Sequence, residues 1–176
     1  MEAGVFLALN ESTPPDLIVQ AAQAVEERGF HAIWVPEHVV LFDEYESKYP
    51  YSPDGRIGNY GKGMMEPFSA LTYLAAHTSK VRLGTAICLV TQRNPIYTAK
   101  QVADLDYLSG GRVNFGIGLG WLREEFAALN VPFEKRGKRA NEHIAVMKAL
   151  WCQEVSKYQG ELYDLQSCVM YPKPIQ

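Results

Sequence analysis

The sequence predicts an α/β fold built from repeated βα units, and three observations carry that prediction. Four short apolar runs, beginning near Gly4, His31, Val81 and Arg112, are each followed by a segment with helical periodicity. The helical segments open on cap-and-proline signals and close on glycine. Polar residues gather where the second, third and fourth runs end. Strands joined by helical crossovers run parallel with right-handed connections, so four such units give one curved parallel sheet with helices on its outer side. A barrel and an open doubly wound sheet both satisfy this pattern. A dinucleotide fingerprint belongs after the first strand, where this chain has Asn10-Glu11-Ser12 and no glycine. The glycines cluster after the fourth strand instead, and a barrel of the (β/α) TIM type is favoured.

The elements follow in order. The first run, Gly4 to Leu9, leads into Thr13-Pro14-Pro15-Asp16. Thr13 is expected to cap, Pro14 to occupy the first helical turn and Asp16 to complement the positive end of the macrodipole. The helix should reach about Arg28, bury Leu17, Ile18, Ala21, Ala22 and Val25, and end at a left-handed Gly29. The second run, His31 to Pro36, ends in Glu37-His38. A stretch without convincing periodicity follows, residues 37 to 66, before Pro67 starts the next helix. Its length marks a lid or binding loop, and it carries Tyr45, Tyr49, Tyr51 and Tyr60 among Gly55, Gly58, Gly61 and Gly63. A solvated excursion is the alternative.

The third run, Val81 to Val90, breaks at Thr91-Gln92-Arg93 and gives way to a helix capped by Asn94-Pro95 and closed at Ser109-Gly110-Gly111. The fourth, Arg112 to Ile117, passes through Gly118-Leu119-Gly120 into a short helix. A longer helix then places Ala140, Ile144, Met147 and Trp151 on one face. Val155 to Tyr158 and Glu161 to Tyr163, flanking Gln159-Gly160, predict a hairpin. The whole chain, 1 to 176, reads as a single domain.

Composition narrows the function. The 176 residues are 47% hydrophobic and 21% charged, as in an ordinary globular chain. A net charge of -3, from 17 basic and 20 acidic residues, leaves no footprint for nucleic acid or an anionic membrane surface. Cys88, Cys152 and Cys168 form neither a disulfide framework nor a zinc site and are expected to be reduced, packed as small apolar groups. No basic leader and no long apolar stretch stands at the N-terminus, so a cytoplasmic location is expected.

Glu37-His38 is the most suggestive pair, because an imidazole at the carboxyl end of a parallel strand faces the ligand side and titrates near neutral pH. A capping histidine is the plainer alternative. His31, His77 and His143 read as structural, and no metal-ligand spacing appears. Gly116-Ile117-Gly118-Leu119-Gly120 lets backbone amides approach a flat ring or a phosphate; a tight packing turn would also use these glycines. Thr85, Ala86 and Ile87 lie where strand three could face a barrel mouth.

These motifs together resemble a family. Trp34-Val35-Pro36-Glu37-His38, Val81-Arg82-Leu83-Gly84-Thr85, Asn94-Pro95 with Ala99-Lys100-Gln101, and Leu105 to Arg112 running into Gly116 to Trp121 are similar to the bacterial luciferase-like oxidoreductases. So is the closing Tyr171-Pro172-Lys173-Pro174-Ile175-Gln176. The resemblance implies a (β/α)8 barrel, reduced FMN or the deazaflavin coenzyme F-420 as cofactor, and a small organic molecule as substrate. It implies that His38, with Glu37 beside it, acts in catalysis. It places the cofactor ring against Thr85, Ala86, Ile87, Gly118, Leu119, Gly120 and Trp121, with a non-proline cis peptide at about Ala86-Ile87. Relatives that oxidise a sugar phosphate have an acidic residue where this chain has Trp121, and the luciferases an arginine near Leu119, so neither specialised chemistry transfers. Glu124 and Glu125 lie close by on a helix, where solvation would explain them.

Length is the larger departure, since four units and a hairpin make about half of such a barrel. The apolar face meant for the barrel interior, assigned to Val5, Leu7, Ile33, Val35, Leu83 and Phe115, would lack cover. A truncated enzyme with weak cofactor binding, or a homodimer or higher homo-oligomer that covers this face, is expected. A non-catalytic flavin-binding or oligomerisation module is the alternative to an oxidoreductase.

Overall fold

The computed structural model describes residues 2–58 and 62–176. Tyr60 and Gly61 of the long loop lie outside the described residues, as does Met1. Strands β1 (Gly4–Phe6), β2 (Ala32–Val35), β3 (Arg82–Leu89) and β4 (Val113–Gly118) pair in parallel in the order β1-β2-β3-β4. Helices α1 (Pro15–Glu27), α2 (Pro67–His77) and α3 (Pro95–Ser109) cross between them, and α4 (Arg123–Ala128) and α5 (Arg136–Cys152) follow. Strands β5 (Ser156–Gln159) and β6 (Asp164–Cys168) form a separate antiparallel hairpin. No helix among the described residues is long and apolar enough to cross a membrane.

Local chemistry sets the helix ends. Asn94 Oδ1 accepts from the Ile96 and Tyr97 amides at the start of α3, Pro95 takes the first helical position, and Gly110 closes the helix at φ +69°. Gly29 ends α1 in the same left-handed region. The start of α1 differs from expectation. Pro14 is its cap residue and Pro15 its first residue, while Thr13 donates its hydroxyl to Asn10 Oδ1 instead of capping. Leu17, expected on the buried face, is half exposed, whereas Ile18, Ala22 and Val25 are buried.

The register decides which strand residues meet the helices. Val5, Ile33 and Leu83 align across β1 to β3, and Val113 extends the row on β4. Ile33, Val35 and Leu83 are at most 2% exposed and belong to the helix-covered core, with Leu71, Leu74, Ala99, Val102, Met147 and Leu150. Val5, Leu7 and Phe115 pack against that core. The uncovered-face assignment of these six residues is therefore corrected: Phe6, Trp34, Gly84 and Asn114 form the adjacent row of opposite parity. Trp34 lies flat across this second face. A Cβ on Gly84 would fall 2.4 Å from Trp34 Cε3, and one on Gly4 would fall 2.6 Å from Trp34 Nε1.

Two charges hold the turn between α2 and β3. Glu26 accepts from the Ser79, Lys80 and Val81 amides, and Arg112 donates to the Ala75, Thr78 and Val81 carbonyls. Burial raises the Glu26 pKa, but the Val81, Lys80 and Ser79 hydrogen bonds outweigh it and hold the carboxyl at about 2. The hairpin is also corrected, because its second strand is Asp164–Cys168 and residues 161–163 form the turn. Their amides all donate to the carboxylate of Glu142, which keeps them out of a ladder. Cys152 is exposed, so it is not a packed thiol; all three cysteines are free.

Candidate active site

The carboxyl ends of β2, β3 and β4 converge with the start of the long loop and with α4. His38 leaves the end of β2 and is 8% exposed. Its Nδ1 lies 3.0 Å from Glu125 Oε2 on α4. Glu125 is fully buried. Its Oε1 accepts from the Val39 amide at 2.7 Å and the Val40 amide at 3.4 Å, and its Oε2 accepts from Gln92 Nε2 at 3.1 Å. Solvation of Glu125 is thus excluded. A buried carboxylate is tolerated here because donors surround it. The signal was present in the spacing: Leu122, Glu125 and Phe126 lie at i, i+3 and i+4, and all three are buried.

Glu37 belongs to a different network. Its Oε2 accepts from the Leu89 amide at 2.5 Å and its Oε1 from Arg93 Nε at 2.6 Å. Arg93 also donates to Glu66 Oε1 and to Gln101 Oε1, tying the ends of β2 and β3 to α2 and α3. Burial lowers the Arg93 pKa, and the Glu37 carboxylate more than reverses it, leaving the guanidinium above its usual range. Burial first and then the charge of Glu37 push the Cys88 thiol well above its ordinary pKa. Glu37 thus supports the ends of the strands. Gln92 and Arg93, which the sequence showed only as the break after strand three, are central to the two networks.

The wall beside these networks is built from β3 and β4. Thr85 is buried and donates its hydroxyl to the Gly116 carbonyl at 2.6 Å. The Ala86-Ile87 peptide bond is cis, as the family resemblance implied, and the register with β4 shifts between Thr85 and Cys88. Ile87 is exposed and crosses Gly118, where a Cβ would fall 1.8 Å from Ile87 Cδ1. Ile117 and Leu119 are exposed as well. Gly118 and Leu119 line a cavity of about 410 Å³ with Val90, Ala140, Asn141 and Ile144. Gly120 has φ +77°, and a Cβ there would strike Phe126 at 2.8 Å.

Trp121 faces His38 edge-on with ring centroids 5.9 Å apart, and Tyr45 and Tyr49 of the long loop pack on the same indole. Its Nε1 is buried without a hydrogen-bond partner, as is Gln92 Oε1. Glu124 anchors the loop through the Glu46 and Ser47 amides. Burial raises its pKa, but hydrogen bonds led by the Ser47 hydroxyl outweigh this and hold it at about 2. His38 and Trp121 are therefore brought together, Thr85 is spent on strand pairing, and Gly118 and Leu119 open on the neighbouring cavity. His143 Nδ1 donates to the Val90 carbonyl oxygen at 2.9 Å, a structural place.

Comparison with known proteins bears on the family and the fold. An uncharacterized protein of Mycobacterium tuberculosis is 35% identical over 158 residues, covering 89% of this chain and 56% of that one. The F420-dependent glucose-6-phosphate dehydrogenase of Kineococcus radiotolerans is 30% identical over 175 residues, covering 97% and 47%. The crystal structure of the monooxygenase RslO1 from Streptomyces bottropensis superposes with a TM-score of 0.80 at 24% identity, over 100% of this chain and 50% of that one. The chain spans about half the length of the relatives it matches. The family model for luciferase-like monooxygenases matches residues 1–176, and the chain belongs to the luciferase-like monooxygenase family.

Proposed function

We propose that this chain carries the proton-handling and ring-facing side of an oxidoreductase site that uses reduced FMN or coenzyme F-420 on a small organic substrate. The single observation that carries the reading is the buried His38–Glu125 contact beside an apolar strand-end wall. The residues fit a planar cofactor. Ile87 offers an exposed apolar side chain over Gly118, and the Trp121 Nε1 donor and Gln92 Oε1 acceptor are buried without partners. When bound, the cofactor supplies the electron or hydride chemistry. His38 would hold or move the proton at the reacting atom, Trp121 with Tyr45 and Tyr49 would exclude water, and Glu37 with Arg93 would keep the strand ends in place.

Titration of the protein with FMN and with coenzyme F-420, followed by absorbance and by turnover with a reductant, tests this. Saturable binding of one cofactor, and a His38→Ala variant that loses turnover more than affinity, is the expected result. Binding without turnover in the unaltered protein would favour the non-catalytic module. The same reading includes association of copies through the face bearing Phe6 and Trp34, of which Phe6 is exposed. Light scattering at micromolar concentration should then show a species of at least twice 19.7 kDa.

A further inference from the structure

We infer that Glu125 is a positioning residue that fixes the tautomer of His38, placing the proton on Nδ1 and leaving Nε2 as the basic nitrogen. The Val39, Val40 and Gln92 N–H groups already donate to its two oxygens, so the carboxylate acts as an acceptor on both. An acceptor 3.0 Å from Nδ1 requires Nδ1 to be the donor. Glu125 is fully buried and His38 nearly so, and water cannot easily substitute for either partner. The backbone amides make the arrangement directional: two peptide N–H groups face Oε1 and cannot be reversed by rotating a side chain. Gln92 adds a further donor on the Oε2 side.

The consequence for chemistry rests on the proposed function. His38 takes a proton from the reacting group at Nε2 and becomes an imidazolium, while its Nδ1–H stays hydrogen-bonded to Glu125. The tautomer itself does not depend on that reading.

Nitrogen-15 NMR of the imidazole, with His38 identified by its loss in His38→Asn, reads the tautomer without cofactor. The unaltered protein at pH above the histidine range should show Nδ1 protonated and Nε2 bare. An Nε2–H signal would overturn the inference. Glu125→Gln sharpens the test. Its carbonyl must face the Val39 and Val40 amides, which turns its NH2 toward Nδ1 and should move the ring proton to Nε2. An unchanged tautomer in that variant would also overturn the inference. Gln92→Leu removes a donor without touching Nδ1, and it should keep the tautomer of the unaltered protein. Absence of turnover in the unaltered protein, with the predicted tautomer present, would separate the two claims, since it counts only against the proposed function.

Discussion

Arg93 Nε lies 2.6 Å from Glu37 Oε1, a pair formed by the last residues of two strand units and buried beneath the site. The side chains are 14% and 1% exposed. Arg93→Ala leaves the Glu37 carboxylate, which still accepts from the Leu89 amide, without its guanidinium, and breaking a buried pair from one side costs about 3 to 5 kcal/mol. Arg93→Lys retains the charge but not the fork that also reaches Glu66 and Gln101, so an intermediate loss is expected. Urea midpoints at neutral pH measure both, and a loss below about 1 kcal/mol for Arg93→Ala would place the pair among surface ion pairs.

The Glu26 carboxyl titrates at about 2, below its ordinary value of 4.5, because it holds the Ser79, Lys80 and Val81 amides. A depressed carboxylate stabilises the fold above the unfolded-state value, and the contribution fades as pH falls from about 4.5 toward 2. Glu26 is partly exposed, and after solvent screening its contribution is about 1 kcal/mol. The stability gap between the unaltered protein and Glu26→Gln should be open at pH 7 and narrow between pH 5 and pH 3. A gap constant over that range would remove the ionised carboxylate from the account.

Gly84 lies under Trp34, and the added methyl of Gly84→Ala would meet the indole at 2.4 Å. Overpacking of this kind costs about 1 to 3 kcal/mol. Trp34→Ala removes the clash, so the double variant should lose less stability than the two single losses combined. Strict additivity in the cycle would mean that the indole does not press on this glycine.

Thiol labelling under native conditions should separate the cysteines. Cys152 is exposed and should react first, while Cys88 is buried, its thiol pushed up by burial and then by Glu37, and should resist until the protein unfolds. Cys152→Ala should abolish the fastest phase. Fast labelling that survives this change would locate it elsewhere.

Much of the fold is legible in the sequence because its determinants are local. Asn94-Pro95 and Gly110 set the ends of α3 with groups a few residues apart, and Pro67 opens α2 where it was predicted. The succession of strands and helices fixes a parallel sheet through the crossover rule, which places His38 at a strand's carboxyl end. Local signals mislead where two neighbours compete for one role, as Thr13 and Pro14 do at the start of α1.

The pairing of side chains was decided by the tertiary structure. Glu125 reaches His38 across 87 residues of sequence, and no spacing rule connects them before the sheet brings α4 over the end of β2. Strand parity is similar. Near-continuous apolar runs such as Ala32–Val35 look the same from either face, and only the helices above the sheet select Ile33 and Val35 for the core while Trp34 turns to the other side. The sequence by itself determined which elements form and at which end of the sheet the chemistry gathers. Packing determined which acid is buried, which histidine nitrogen it meets, and which face of the sheet the helices cover, because burial and charge pairing depend on neighbours that are distant along the chain.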